Sequence, residues 1–578
     1  MVRYRIELHD LHAHLFRVTL TLPRPAARQR LSLPVWIPGS YLVREFSRQL
    51  SALSAHQGSS ERPLEQIDKC TWEVCCDGRG TLVVSYVVYA FEDSVRAAWL
   101  DTQRSFFNGT SLCLRCEGRE NEPHRVTLDR LPPGWEVATA MTTRGKAEYE
   151  AAGYDELIDH PFELGPFWRG RFQACGVPHE FVVAGALPTF DGERLLADAQ
   201  RICEAQIRFW HGEDAGPGSV PFERYVFQLR AVDEGYGGLE HRASTALIAC
   251  RRDLPRKGVA SRNEGYVTLL GLISHEYFHT WNVKRLTPVE FAPCDLRRET
   301  YTRLLWFFEG FTSYYDDLFL VRTGLIDETR YLKLVAKTVS QVLGTPGRAV
   351  QTVAQASFDA WIKYYRPDEN TANATVSYYT KGALLALALD LRLRSEGRGS
   401  LDAVMRLLWH TSGGGPVDEA DIAAALAKVG RRSYAPEMAA WVHGTDDLPL
   451  AGLLAIFGVQ WAREAATFVQ RLGARVAELP QGLKVQAVFR GGAAERAGLA
   501  AGDEILALDG WRLTKLDEAA GLQALDKPLP LLASRDKRLL TLTLPQAQAE
   551  GAVALTPDLK PAAAVARRRR AWLGGDRR

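Results

Sequence analysis

Ser274-His275-Glu276-Tyr277-Phe278-His279 sets two imidazoles four residues apart, with a carboxylate beside the first. On a helix, residues four apart share a face, so His275 and His279 can aim at a single point. Two neutral imidazoles aimed that way are a natural pair of zinc ligands. Glu276 sits on the adjoining edge of the face, where it can take a proton from a water at that point without binding the metal itself. The stretch before the motif, 265–273, is apolar on almost every side and predicts a buried helix running into it. A chance match of three letters is the bland alternative.

A catalytic zinc takes three protein ligands and keeps one position open. Glu309 is the candidate third, the only charge in the aromatic and apolar run Leu304–Tyr315. A lone carboxylate there is costly to bury unless a cation pairs with it or it binds a metal; Arg303 or Arg322 is the alternative partner. Asp316 lies two helical turns further on, faces the same way, and could accept the outer N–H of a ligating histidine. Asp317 is expected to face solvent. Upstream, Gly237-Gly238-Leu239-Glu240-His241 lies between two β-like runs, 224–232 and 244–249. Gly237 and Gly238 on an edge strand would let a substrate backbone approach closely, and strand addition would hold an extended peptide beside the metal. On the residues alone, Glu240 reads as a solvent-facing hairpin glutamate, and His241 as either a cleft residue or a structural one. Tyr378 and Tyr379 stand just before a predicted helix, 382–394. A phenol at a helix start facing the metal can donate to a developing oxyanion, and the residues do not choose between the two.

The elements that must position these groups make a multidomain α+β protein. At 578 residues the chain exceeds one ordinary domain. Residues 1–166 alternate over short β-branched and aromatic runs such as 15–22 and 81–89, which reads as a β-sandwich-like domain. Its loop residues Arg44, Arg96 and Asn108 could reach the catalytic cleft, but solvated loops are the expectation. Residues 167–450 form a mostly helical domain that holds the metal motif, with spans at 191–210, 322–343 and 382–394. Residues 451–545 contain a strand at 483–489, then a short helix, Ala497-Gly498-Leu499, Gly502-Asp503-Glu504-Ile505 and a strand ending Asp509-Gly510, in that order. This resembles the core of a PDZ domain, a fold that binds peptides on its sheet edge. Leu472-Gly473-Ala474 is a weak candidate for a carboxylate-holding loop. Residues 546–578 are rich in Ala, Pro and Arg, with Arg567–Arg570 as a basic cluster, and read as a solvated, mostly disordered tail.

The net charge of +2 gives no electrostatic case for nucleic acid or a membrane surface. No apolar run approaches membrane-spanning length. Met1–Leu8 reads as a strand rather than a signal peptide, and the nine scattered cysteines fit reduced thiols, so a cytoplasmic location is expected. Cys113 and Cys116 form an isolated C-x-x-C with no second pair, a poor zinc site. Oligomeric state is not written in the sequence.

His-Glu-x-x-His followed by W-x-x-E-G-F on the next long helix resembles the gluzincin metallopeptidases, which have thermolysin-like catalytic domains. Within them the chain is most similar to the glycyl aminopeptidase family, which joins an N-terminal β domain, a gluzincin domain and a PDZ domain. The marks are Trp36-Ile37-Pro38-Gly39-Ser40-Tyr41, Phe106-Phe107-Asn108-Gly109-Thr110-Ser111, Gly237–His241, the metal motif, and Ser377-Tyr378-Tyr379-Thr380-Lys381-Gly382. The spacing of 309 − 279 = 30 residues from His279 to Glu309 suits this family rather than the larger zinc aminopeptidases. The resemblance implies zinc on His275, His279 and Glu309, Glu276 as general base, Tyr379 at the oxyanion, and Glu240 pairing with the free α-amine of a peptide substrate. It also implies a small first residue, glycine or alanine. An endopeptidase of the same chemistry, and a peptide-binding adaptor working through the PDZ-like and β domains, are the rival readings.

Overall fold

The structure is a computed structural model that describes residues 1–77, 79–522 and 524–575. The chain divides into two compact units, Met1–Tyr301 with Gly414–Pro416, and Thr302–Gly413 with Val417–Arg578.

The first unit opens with an eight-stranded sheet in which Val2–Asp10 lies between Leu15–Leu22, antiparallel, and His124–Asp129, parallel. Alternation decides which side is core: every second residue of Leu15–Leu22 is buried. Two four-stranded sheets complete this β-rich part. A five-stranded mixed sheet follows. Val177–Ala184, Tyr225–Val232 and Ser244–Cys250 run parallel, and Tyr236–Glu240 closes one edge antiparallel to Ser244–Cys250. The helices Gly192–His211 and Glu264–Phe278 accompany this sheet.

The second unit is built on two helices, Leu305–Arg322 and Tyr378–Ser395. They touch backbone to backbone: a Cβ added at Gly310 would lie 2.5 Å from the Cα of Gly382. Buried polar groups lock the same pair. Tyr314 donates to Asp390 at 2.7 Å and Tyr315 to Asp402 at 3.0 Å, while Arg322 and Arg394 pair with Asp402 at 3.0 and 3.1 Å. The expected single span 322–343 is two helices. One ends at Arg322 and the next begins at Glu328, because Gly324 turns the chain at φ +70° and Asp327 caps the new start.

Gly482–Val488, the helix Ala493–Ala497 and Glu504–Leu508 follow the order expected of the PDZ-like region, with Ala474–Leu479 as the sheet's edge strand. The Gly473 N–H that a bound carboxylate would use is given to Val469 O at 3.1 Å, closing the helix Phe468–Leu472.

The solvated tail expected after residue 545 is overturned. Val553–Pro557 pairs with Val459–Arg463, and Ala563–Gly574 is a helix. Trp572 is 0% exposed, donates to Tyr314 Oη at 3.1 Å, and packs on Tyr331 and Phe457. Arg569, inside the supposed solvated cluster, pairs with Glu328 at 2.8 Å and donates to Gly458 O at 2.7 Å. Trp572→Ala should therefore destabilise the fold by about 3–5 kcal/mol, the range for emptying a large buried aromatic site. Thermal denaturation followed by circular dichroism would read this as a lowered Tm, and an unchanged Tm would contradict the packed helix.

Candidate active site

The motif helix Glu264–Phe278 is held at several points. Asn263 caps it by accepting the Tyr266 N–H at 2.7 Å, and the Tyr266 hydroxyl donates to Asp198 at 2.9 Å. Gln206 donates to Ser274 O at 2.8 Å, and Tyr277 Oη lies 2.9 Å from His179 Nε2. His275 is half-buried, His279 buried, and their Nε2 atoms are 3.0 Å apart. His279 Nδ1 lies 2.8 Å from the carbonyl of Asn282. A carbonyl only accepts, so that nitrogen carries the proton in the neutral ring and Nε2 is left bare, the form a metal needs. Two ligands at Zn–N of ~2.0–2.1 Å in a tetrahedron stand roughly 3.3 Å apart, close to the separation here. The Asn282 carbonyl is a partner that sequence reasoning missed, and it takes the His279 proton that Asp316 was a candidate to accept.

Glu276 is buried and its carboxylate lies against the edge strand. A Cβ added at Gly238 would sit 2.1 Å from Glu276 Oε1. Only glycine allows this strand to come so close. Glu240 is 4% exposed, so the solvent-facing alternative does not hold. Its carboxylate fills the space beside Gly39, where a Cβ would lie 2.3 Å from Oε1, and Gly39 has φ +94°. This gives a physical reason for the glycine in Trp36–Tyr41. Strand side chains alternate, so positions 238 and 240 face the same way. Glu240 and the Glu276 carboxylate thus meet one face of the edge strand.

Arg96, expected in a solvated loop, instead donates to Gly238 O at 2.9 Å, and Asn108 is fully buried, donating to Val95 O at 3.0 Å. Arg44 is held by Ser40 and Glu92. His241 is buried, 3.3 Å from Asp159, which Lys284 pairs at 2.7 Å, and it lines the same cavity as Glu240. A cavity of about 500 Å³ in this unit has Gly39, Tyr41, Glu240, Lys284 and Phe291 in its wall.

In the second unit Glu309 is buried one residue before the Gly310–Gly382 crossing. Of the two arginines named above, Arg322 holds Asp402, and Arg303 lies over the Phe358 ring at 4.7 Å. Tyr379 opens toward the surface more than Tyr378, which is 0% exposed. Removal of its hydroxyl from water and then the Glu309 carboxylate push the Tyr379 pKa well above the ordinary value. Its phenol is thus a firm donor at neutral pH. Tyr364 stacks on it at 5.3 Å, and Tyr365 Oη is 3.5 Å from its own. Asp316 and Asp317 are both half-buried.

Residues 3–166 match the model of the Peptidase M61 N-terminal domain, 268–385 that of M61 glycyl aminopeptidase, and 461–532 that of the PDZ domain. A solved aminopeptidase N family protein from Idiomarina loihiensis is 38% identical over 99% of this chain and 100% of its own, with a TM-score of 0.93. The chain belongs to the M61 glycyl aminopeptidase family. It is accordingly a metallopeptidase of aminopeptidase type. A more distant likeness is to an M1 zinc metallopeptidase from Deinococcus radiodurans, 18% identical over 78% of this M61 chain and 94% of that one, with a TM-score of 0.47, too low to carry an argument. No curated protein matches the chain. Among its described residues no helix is long and apolar enough to cross a membrane.

Proposed function

We propose that this peptidase removes residues from the free amino end of peptides, with zinc held by His275, His279 and Glu309. The observation that carries the reading is the shared strand face: Glu240 and the Glu276 carboxylate meet it two strand positions apart. That spacing is about 7 Å, the length of two extended residues, and the hydrogen bonds to the ammonium and to the attacking water take up part of it. A substrate ammonium paired with Glu240 therefore leaves its first peptide bond beside Glu276.

The zinc assignment is supported by the three side chains themselves. Each offers one ligand atom, an imidazole nitrogen or a carboxylate oxygen. The donor set, two imidazoles and a carboxylate, is one that catalytic zinc favours. When bound, zinc supplies a Lewis acid that makes water acidic near neutral pH and draws charge from the scissile carbonyl. Glu276 takes the proton of the attacking water and hands it to the leaving amine. Tyr379 donates a hydrogen bond to the oxyanion. Asp316 is the candidate to accept the outer N–H of a ligating histidine. A small first residue, glycine or alanine, is taken from the family, and a faster rate on leucyl than on glycyl and alanyl arylamides would overturn it. A reducing, cytoplasmic setting fits nine unbridged thiols.

Glu240→Ala tests the anchor. Losing one partner of a desolvated charge pair costs about 2–5 kcal/mol, so kcat/KM on free-amine peptides should fall about 10²-fold or more. N-acetylated peptides should be poor substrates for both proteins, with no further loss in the variant. Equal losses on both substrate types, or brisk cleavage of the acetylated peptide, would favour the endopeptidase instead.

A further inference from the structure

The segment that leads to Tyr379 is held from the PDZ domain by one side chain. Asn373 sits in the short helix Thr371–Ala374 and is 8% exposed. Its Nδ2 donates to Val488 O at 2.8 Å, and its Oδ1 accepts the N–H of Arg490 at 2.9 Å. Both ends of the amide are thus committed to the backbone of 488–490, which fixes its orientation, since a carbonyl can only accept and an N–H only donate. The same tract is gripped from its other side. Phe489 donates its N–H to Gly473 O at 2.8 Å, and Val488 stands opposite Ala474 on the edge strand. Asn373 thus holds Val488 and Arg490 of a tract that the domain's own edge holds at Val488 and Phe489.

From Asn373 the chain has little freedom before the tyrosine. Thr375 donates its hydroxyl to Gln351, which in turn donates to Asp359 at 2.9 Å. Gly347 lies so close to this segment that a Cβ there would be 2.2 Å from Thr375 O. Ser377 then caps the helix that begins Tyr378-Tyr379, accepting the Thr380 N–H at 3.3 Å. A donor that acts on an oxyanion must be placed to a fraction of an ångström, and only five residues separate Asn373 from Tyr379.

We propose that Asn373 is a positioning residue through which the PDZ domain sets the place of Tyr379, so that the PDZ domain is a working part of the catalytic unit. This rests on Tyr379 being the oxyanion donor. In the full-length zinc enzyme, Asn373→Ala should lower kcat on an aminoacyl arylamide about tenfold, with KM held within about twofold. In a Tyr379→Phe background the same change should move kcat by less than about twofold, because the group being positioned is gone. Asn373→Asp keeps the acceptor for Arg490 and loses the donor to Val488, and should fall between; it also carries the test if the alanine variant does not fold. Hydrogen exchange read by mass gives a second measure, with or without metal: in Asn373→Ala, peptides covering 371–380 and 488–492 should both exchange faster, while 264–278 stays as in the wild type. Faster exchange confined to 488–492, or equal kcat losses in the two backgrounds, would overturn the proposal and leave the role of Tyr379 standing. A Tyr379→Phe enzyme with wild-type kcat would remove that role, and the proposal with it.

Discussion

Glu276→Gln should keep its metal and lose its chemistry. Glutamine has the shape of glutamate, so it fits the narrow space against Gly238, where even a methyl group would overlap the present carboxylate. The two imidazoles stay where the motif helix and the Asn282 carbonyl hold them. What the amide cannot do is accept a proton from water at neutral pH. General-base catalysis is worth about 10²–10⁴-fold, and kcat should fall by that amount with zinc content unchanged. Metal analysis of the purified variant beside its rate on a free-amine arylamide gives both halves of the result. Near wild-type turnover would mean that another group takes the proton. Loss of zinc along with the rate would mean that Glu276 serves the metal directly, contrary to its place beside the edge strand.

The parts of this site that were legible in the sequence are those in which one element carries the whole signal. The four-residue spacing of His275 and His279 lies within a single helix, so their meeting at 3.0 Å needs no knowledge of the rest of the chain. Glu309 stands out because it is the only charge among aromatic neighbours. What was not legible depends on groups far apart in sequence or on backbone atoms, which have no letter. The Asn282 carbonyl that fixes the His279 proton is a main-chain group. Gly310 and Gly382 were visible as letters, but their close contact spans 72 residues of chain. Arg96 reads as a solvated loop residue until the fold brings Gly238 O within 2.9 Å. The C-terminal segment was misread for a related reason. Its Ala, Pro and Arg content looks disordered, and only Tyr314, Tyr331 and Phe457, each more than a hundred residues upstream, turn Trp572 into core. Composition describes what a segment would do alone, and this one is never alone.

Glu309→Ala should cost the enzyme its metal, and here the competing account makes an opposite forecast. If Glu309 were a buried carboxylate satisfied by charge, its removal would leave an arginine uncompensated, and the damage would appear as lost stability with zinc still bound. Arg322 is already paired with Asp402, and Arg303 is spread over an aromatic ring. On the metal reading, the alanine variant keeps two imidazoles, one short of the three protein ligands of a catalytic zinc site. Loss of a supporting contact to a ligand alone weakens metal binding about 10–100-fold, so loss of a ligand should exceed that, and the purified protein should carry little zinc. Activity should fall to background and return only in part at millimolar zinc. The Tm of the metal-free variant, set beside that of the metal-free wild type, reads the competing forecast, in which the damage is to stability. Stoichiometric zinc at ordinary affinity in Glu309→Ala would remove the third ligand from the proposal, whatever happened to the rate. Glu309→Asp sharpens the measurement: the same charge on a shorter arm should bind zinc more weakly than the wild type and more tightly than alanine, a ranking that charge neutralisation alone does not produce.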